Sequence, residues 1–331
     1  MSLLAPTLQS FFTGYLSGQR GASAHTVAAY RDTWRLLLTY LGDHRHRRPA
    51  AADFTDLDAE TVSGFLAYLE TDRGNSAATR NARLSAIHAF FGYAAYLHPE
   101  HADLIRRVLA IRAKNAPKAQ ISYLTDAEVD ALLAAPPAAR LVGSRDRLII
   151  LTLVTTGLRI SELTHLTWAD LRLARPAHLA SHGKGRKERV TPLDTATAMA
   201  LQAWYEENLS PAPASAVFTA QGCGRPMTTD AVAQRLRVHT TAAATTCPTL
   251  AAKTVTPHVL RHTTAMRMLA AGIDTATISL WLGHESIEST QAYLHADLGI
   301  KQRALDRTAP PDTMPGRYTP ADTLLEFLEK L

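Results

Sequence analysis

Between residues 7 and 111 apolar side chains return every three or four positions almost without interruption, which commits this stretch to helix. TLQSFFTGYLSG, SAHTVAAYRDTWRLLLTYLG, DAETVSGFLAYLETD, NSAATRNARLSAIHAFFGYAAY and EHADLIRRVLAI all carry the repeat. A helix striped on one side must bury that stripe against a neighbour, so four or five short helices should close into a compact bundle. Ser23 and Asn75 stand where N-caps belong, and Gly42 and Gly74 stand where helices should end.

The segment RAKNAPKAQISYLT, residues 112–125, breaks this rhythm with charge, a proline and a polar run. Thr125 and Glu128 then form a capping box that opens the next helix. At 331 residues the chain exceeds what one core usually holds. We therefore expect a helical domain at 1–115, a linker at 116–122, a second domain at 123–308, and a tether with a terminal helix at 309–331.

The second part is mixed. Helical signals at 125–135, 144–156, 194–208, 228–244, 257–271, 274–282 and 286–295 surround AHLASHGKGRKERVTPL, residues 177–193, whose Gly-rich centre between alternating runs reads as a β-hairpin. The expected class is mostly α with a small β-sheet. After a helix near 297–307, RTAPPDTMPGRYTP cannot be regular, while ADTLLEFLEKL ends the chain with an amphipathic stripe that needs a groove, on its own domain or a neighbour's.

A net charge of +5 tilts the chain toward a polyanionic partner. Cys223 and Cys247 lack CxxC spacing, which argues against a disulfide framework and a zinc ribbon. Neither a leader nor a run of eighteen apolar residues is present, so the expectation is a soluble, cytoplasmic protein with no membrane partner.

In TPHVLRHTTAMRMLAAG, residues 256–272, three polar side chains fall within five positions. On a helix His258 and Arg261 share a face and His262 adjoins it, leaving Leu260, Met266 and Leu269 for the core. Such a face is either a solvated one with a single buried histidine or a grip on an anion. The histidine spacing also suits zinc, but Val-Leu-Arg between them lacks the Glu a zinc protease needs and sets a cation beside the metal position. No metal is expected.

TTGLRISELTHLTW places Arg159 just past a glycine with Glu162 one turn on, and SHGKGRKERV offers Lys184 at the hairpin tip. WLGHESIESTQAYLHADL adds His284 after a helix-stopping glycine and Tyr293 in the next helix. Singly, each has a plain structural explanation: a capping ion pair, a solvated turn, an N-terminal cap, one of ten tyrosines.

Taken in order, TGLRISEL, HGKGRKER, HVLRHT, LGH and STQAYLH resemble the signature segments of the tyrosine recombinase (phage integrase) family. The resemblance covers roughly residues 8–308 and draws its specificity from 156–295. It implies an N-terminal helical core-binding (SAM-like) domain and a mixed α+β catalytic domain that form a C-shaped clamp around DNA. By the same likeness Arg159, Lys184, His258, Arg261, His284 and Tyr293 match the six active-site positions, and Glu162 matches the acidic supporting residue. His262 would buttress its helix.

The resemblance implies a site-specific recombinase that cuts and rejoins double-stranded DNA through a 3′-phosphotyrosine and a Holliday junction. It also implies a homo-tetramer on two sites, with accessory or sister recombinases as further partners. The run from 264 to 305 looks most like recombinases of transposons and other mobile elements, which points to integration or excision. Chromosome-dimer resolvases share much of it. A type IB topoisomerase and a non-cutting DNA-binding accessory protein are the rivals.

Such chemistry without Mg²⁺ leaves the protein to neutralise the nonbridging phosphate oxygens, work that suits the planar, permanently charged fork of Arg159 and Arg261. His258 is the expected base, Lys184 the acid for the leaving 5′ oxygen, and His284 a further donor. No GxxxxGK[ST] loop or calcium loop is present, and no cofactor is expected. Phosphate contacts away from the cut should come from Lys184, Arg186, Lys187 and Arg189 of the hairpin, with Arg80, Arg83 and HRHRR at 44–48 as candidates in the bundle.

Overall fold

The computed structural model describes residues 4–115, 121–182, 188–222 and 224–283. Lys184, Arg186, Lys187, His284 and Tyr293 lie outside the described residues, as do the helices expected at 286–295 and 297–307, most of the 116–122 segment and the 309–331 tail. The chain divides into two compact units, Met1–Ala119 and Gln120–Leu331.

In the first unit α1 (Leu4–Ser10) runs on as a wider π-helical segment, Phe11–Gln19. The long helices α2 (Ala24–Arg45) and α4 (Ala77–Leu97) follow, with α3 (Ala59–Thr71) between them and α5 (Ala102–Leu109) after them. Apolar positions three and four apart put Phe11, Trp34, Phe54, Phe90 and Phe91 into one core. Phe90 meets Trp34 at 4.5 Å and Phe11 at 5.5 Å between ring centroids. Ring pairs of this kind add about 1 kcal/mol each beyond the area they bury, so this knot is the bundle's centre.

Two expected helix boundaries move. Ser23 caps α2 as expected, accepting from the Thr26 N–H, but Gly42 does not end that helix. It continues to Arg45 and stops at His46, whose φ of 52° is left-handed. The extra turn carries Arg45 to Glu60 and Arg47 follows it to Asp56, at 3.6 and 2.9 Å. Ser76, not Asn75, caps α4, its hydroxyl accepting from the Thr79 N–H, while the Asn75 N–H donates back to the Leu69 carbonyl of the preceding helix.

The second unit opens at α6 (Asp126–Ala134) behind the expected Thr125–Glu128 capping box. Helix α7 (Leu141–Thr156) crosses α11 (Pro257–Ala270), packing Ile150, Leu153 and Val154 with Leu260 in the largest core. Thr264 of α11 donates to the Val154 carbonyl at 2.9 Å, which fixes where the two helices touch. Asp146 of α7, 1% exposed, accepts from Arg235 and His239 of α10 (Thr229–Ala243), a buried polar clasp that holds α7 against α10.

The expected hairpin is present: β2 (His178–His182) pairs antiparallel with β3 (Glu188–Pro192), with Ala180 opposite Val190. A two-residue strand that the sequence did not suggest, β1 (Leu171–Arg172), joins β2 and completes a sheet in the order β1-β2-β3. Helices α8 (Ile160–Thr164), α9 (Thr195–Glu207) and α12 (Thr275–Leu282) complete the described part. The fold is mostly α with a small sheet, as its periodicity requires. Among the described residues no helix is long and apolar enough to cross a membrane.

Candidate active site

Helix α7 ends at Gly157, whose φ of 65° is left-handed. A Cβ there would come within 2.5 Å of Leu282 and 3.4 Å of Thr264, so both the turn and the packing need glycine. Leu158 is fully buried, and the chain turns Arg159 into the N-cap position of α8. Glu162 grips this residue twice: Oε2 accepts the Arg159 backbone N–H at 2.9 Å and Oε1 accepts Nη1 at 2.8 Å. Arg159 Nη2 donates to the Gly283 carbonyl at 2.8 Å, and its side chain stays 38% exposed.

Helix α11 starts with Pro257 at N1 and with Thr256 accepting from the Val259 N–H. Leu260, Met266 and Leu269 face the core, as the stripe predicts. The solvated reading of its basic face is corrected at Arg261, which is 3% exposed. Its Nη1 donates to the Gly157 carbonyl and its Nη2 to the Leu282 carbonyl. Arg159 and Arg261 thus hold successive carbonyls at the end of α12, directly before His284 in the chain.

The His258 and His262 rings lie 4.1 Å apart at 67°. Desolvation lowers His258 below the usual imidazole range, and the Arg261 and Arg159 guanidinium groups lower it further. His262 is pulled down to about 4 by burial, then by His258 and Arg261. Both imidazoles are therefore neutral at pH 7, the form that can accept a proton. Among the described residues no cluster of three His, Cys, Asp or Glu side chains could hold a metal.

A stability prediction follows for His262. Its folded value lies below the 6.5 of an unperturbed imidazole, so the unfolded chain takes up the proton first as pH falls. Stability is complete above about pH 6.5 and declines as pH drops toward 4, by on the order of 3 kcal/mol. Thermal melts from pH 7 to 4.5 should show a steeper fall in midpoint for the wild type than for His262→Gln. Parallel curves would refute it.

Of the residues expected to meet DNA outside the cut, two are placed differently. Arg80 is corrected: it is 7% exposed, and its Nη1 donates to the Arg112 carbonyl at 3.1 Å, tying α4 to the chain beyond α5. Arg189 is corrected as well, because its side chain is only 12% exposed and turns inward, donating from Nη2 to Glu162 Oε2 at 3.0 Å. The signal was legible in the strand parity: Arg189 shares a face with the buried Thr191, while Val190 between them is 63% exposed. Arg83 is half-buried, donates to Ala29 and Thr33 of α2, and lines a cleft with His25, Thr26, Tyr30 and Thr79.

Among the described residues three guanidinium groups and two neutral imidazoles gather with one carboxylate on a mostly helical unit, a set of groups chemically suited to an oxyanion. The Phage integrase family model matches residues 122–298, and the model of the phage integrase N-terminal SAM-like domain matches residues 10–96. A Sinorhizobium fredii protein named as an integrase/recombinase, y4rC, is 44% identical over 328 residues, covering 99% of this chain and 98% of that one. Tyrosine recombinase XerC of Chlamydia trachomatis is 31% identical over 321 residues, 90% of this chain and 96% of the other.

Among solved structures, the Tn1549 transposon integrase in complex with transposon right-end DNA aligns over 94% of this chain and 100% of that one, with a TM-score of 0.68 at 20% identity. XerH recombinase bound to a palindromic difH substrate aligns over 91% and 84%, with a TM-score of 0.66 at 21% identity. The chain belongs to the phage integrase family, the tyrosine recombinases, enzymes that cleave and rejoin DNA strands.

Proposed function

We propose that this recombinase integrates or excises a mobile element by cutting duplex DNA at specific sites through a phosphotyrosine at Tyr293. The observation that carries the reading is the convergence of Arg159 and Arg261 on the Leu282 and Gly283 carbonyls, with His258 one helical turn before Arg261. Both side chains end in a planar, permanently charged guanidinium, whose parallel N–H bonds match the paired oxygens of a phosphate.

In this reading Arg159 and Arg261 stabilise charge on the nonbridging oxygens, and His284 donates one more hydrogen bond. Neutral His258 takes the phenol proton as Tyr293 attacks phosphorus, and Lys184 protonates the departing 5′ oxygen. The product is a 3′-phosphotyrosine with a free 5′-hydroxyl. Its ester energy is retained, so another strand's 5′-hydroxyl reverses the step without ATP. Four protomers on two sites would exchange strands in turn through a Holliday junction, with the 309–331 segment packing in trans to couple neighbours. The helical domain at 1–115 and the catalytic domain at 123–308 would clamp the duplex, Arg83 and the cleft between α2 and α4 facing it.

The test is a denaturing-gel search for covalent adducts on nicked duplexes from the regions flanking the gene, run with EDTA. The expected result is an SDS-resistant, protease-sensitive adduct on the 3′ side of the cut and a 5′ end that a kinase labels without phosphatase. Specific binding without any adduct would make the chain an accessory DNA-binding protein. Relaxation of a plasmid lacking paired sites would favour the topoisomerase.

A further inference from the structure

We propose that Arg189 is a positioning residue for strand transfer: acting through Glu162, it fixes the Arg159 guanidinium that grips the scissile phosphate. The inference rests on the reading of Arg159 as a phosphate ligand. A continuous chain of contacts carries it, from β3 through Arg189 Nη2 to Glu162 Oε2 at 3.0 Å, then from Glu162 Oε1 to Arg159 Nη1 at 2.8 Å. Arg159 ends the chain on the Gly283 carbonyl.

Arg159 and Glu162 alone would make a local pair three residues apart, with the carboxylate held only by Arg159's own backbone N–H and guanidinium and the cation largely neutralised. A second guanidinium on the same carboxylate changes both properties. Glu162, 6% exposed, is held from two directions, so the Arg159 fork it orients is held as well. Its negative charge is shared between two cations, which leaves Arg159 more of its own for phosphate.

Stability alone does not account for Arg189. Burying a guanidinium is costly, and an ion pair in such a place seldom outperforms apolar packing. Two of its donors, Nε and Nη1, are buried with no acceptor among the described residues, which adds to that cost. Burial draws the group below its usual range, Glu162 opposes the shift and Arg159 adds to it. The open Nη1 lies 3.3 Å from where a Cβ on Gly283 would sit. Arg189 therefore packs against the same residue whose carbonyl Arg159 holds, directly before His284.

The experiment measures single-turnover adduct formation on a nicked duplex together with DNA affinity. Arg189→Ala should slow adduct formation about 100-fold, the effect of a misplaced reacting group, while affinity changes less than about threefold. Arg189→Lys should recover about tenfold of that loss, since a point charge meets Glu162 without the planar fork. In a Glu162→Ala background, Arg189→Ala should add less than about twofold, because both act through one chain.

Wild-type rates in Arg189→Ala would overturn the proposal. So would an undiminished loss in the Glu162→Ala background, or a loss of affinity matching the loss of rate, which would mark a direct DNA contact. Should the alanine variant not fold, Arg189→Lys and Arg189→Gln give the same readout. If the wild type itself forms no adduct on DNA that it binds, the phosphate reading of Arg159 falls and takes this one with it; an active wild type beside an unaffected variant sinks this one alone.

Discussion

A Tyr293→Phe protein should bind its recombination site as tightly as the wild type and form no covalent adduct with it at any pH. The substitution removes one oxygen and leaves the ring, so whatever the side chain packs against is kept. What disappears is the only atom proposed to bond phosphorus. A phenol with a reference pKa of ~10 is a poor nucleophile at neutral pH, and the proposed reaction relies on neutral His258 and the cations around it to draw off the proton. With phenylalanine nothing remains for them to activate. A water molecule admitted in its place would hydrolyse the strand without leaving protein attached, so strand cleavage should slow by about 10⁴-fold or more and adduct should be absent. Filter binding or a native gel measures the affinity, and a denaturing gel the adduct. An adduct that persisted would move the nucleophile to another residue and undo the assignment of roles.

How much of this was legible in the sequence depended on whether the relevant physics is local. Helix phase is local: Leu260, Met266 and Leu269 face the core because spacing alone demands it, and the Thr125–Glu128 box forms where its two residue types fall. The hairpin followed from alternation and a glycine-rich turn, and its pairing is present from His178 to Pro192. Helix ends were less legible, since they depend on partners distant in sequence. Gly42 is carried through α2 by a turn whose arginine pairs with Glu60, and the cap of α4 falls one residue later, on Ser76, while the Asn75 N–H reaches back to the helix before. Burial of charge was the least legible. Arg80 and Arg189 read as surface cations and the face of Arg261 as either solvated or a grip on an anion, and each is turned inward by acceptors between 21 and 104 residues away. The family likeness drew Arg159 and Arg261 together from segments 102 apart in number, but the carbonyls of Leu282 and Gly283 that unite them carry no side-chain signature.

Arg261→Ala should both weaken the second unit and stop the chemistry, and Arg261→Lys should separate the two effects. The guanidinium spans the Gly157 and Leu282 carbonyls, so it ties the end of α7 to the end of α12 from inside the core. Truncation to alanine strips a buried donor from both carbonyls, at about 1–3 kcal/mol for each group left unmet, and a loss near 2–4 kcal/mol is expected in chemical denaturation. Adduct formation should fall about a thousandfold or more, the usual size of effect when a charge-stabilising arginine leaves a phosphoryl-transfer site. Lysine keeps the charge but not the fork. Its single ammonium can satisfy one carbonyl well, so about half of the lost stability should return. It cannot hold that carbonyl and present two parallel N–H bonds to phosphate, so the rate should remain at least about 100-fold down. Both variants are compared with the wild type at a temperature where circular dichroism shows all three folded. A lysine variant within about threefold of wild type in rate would reduce Arg261 to a point charge and remove the geometric basis for the proposed clamp.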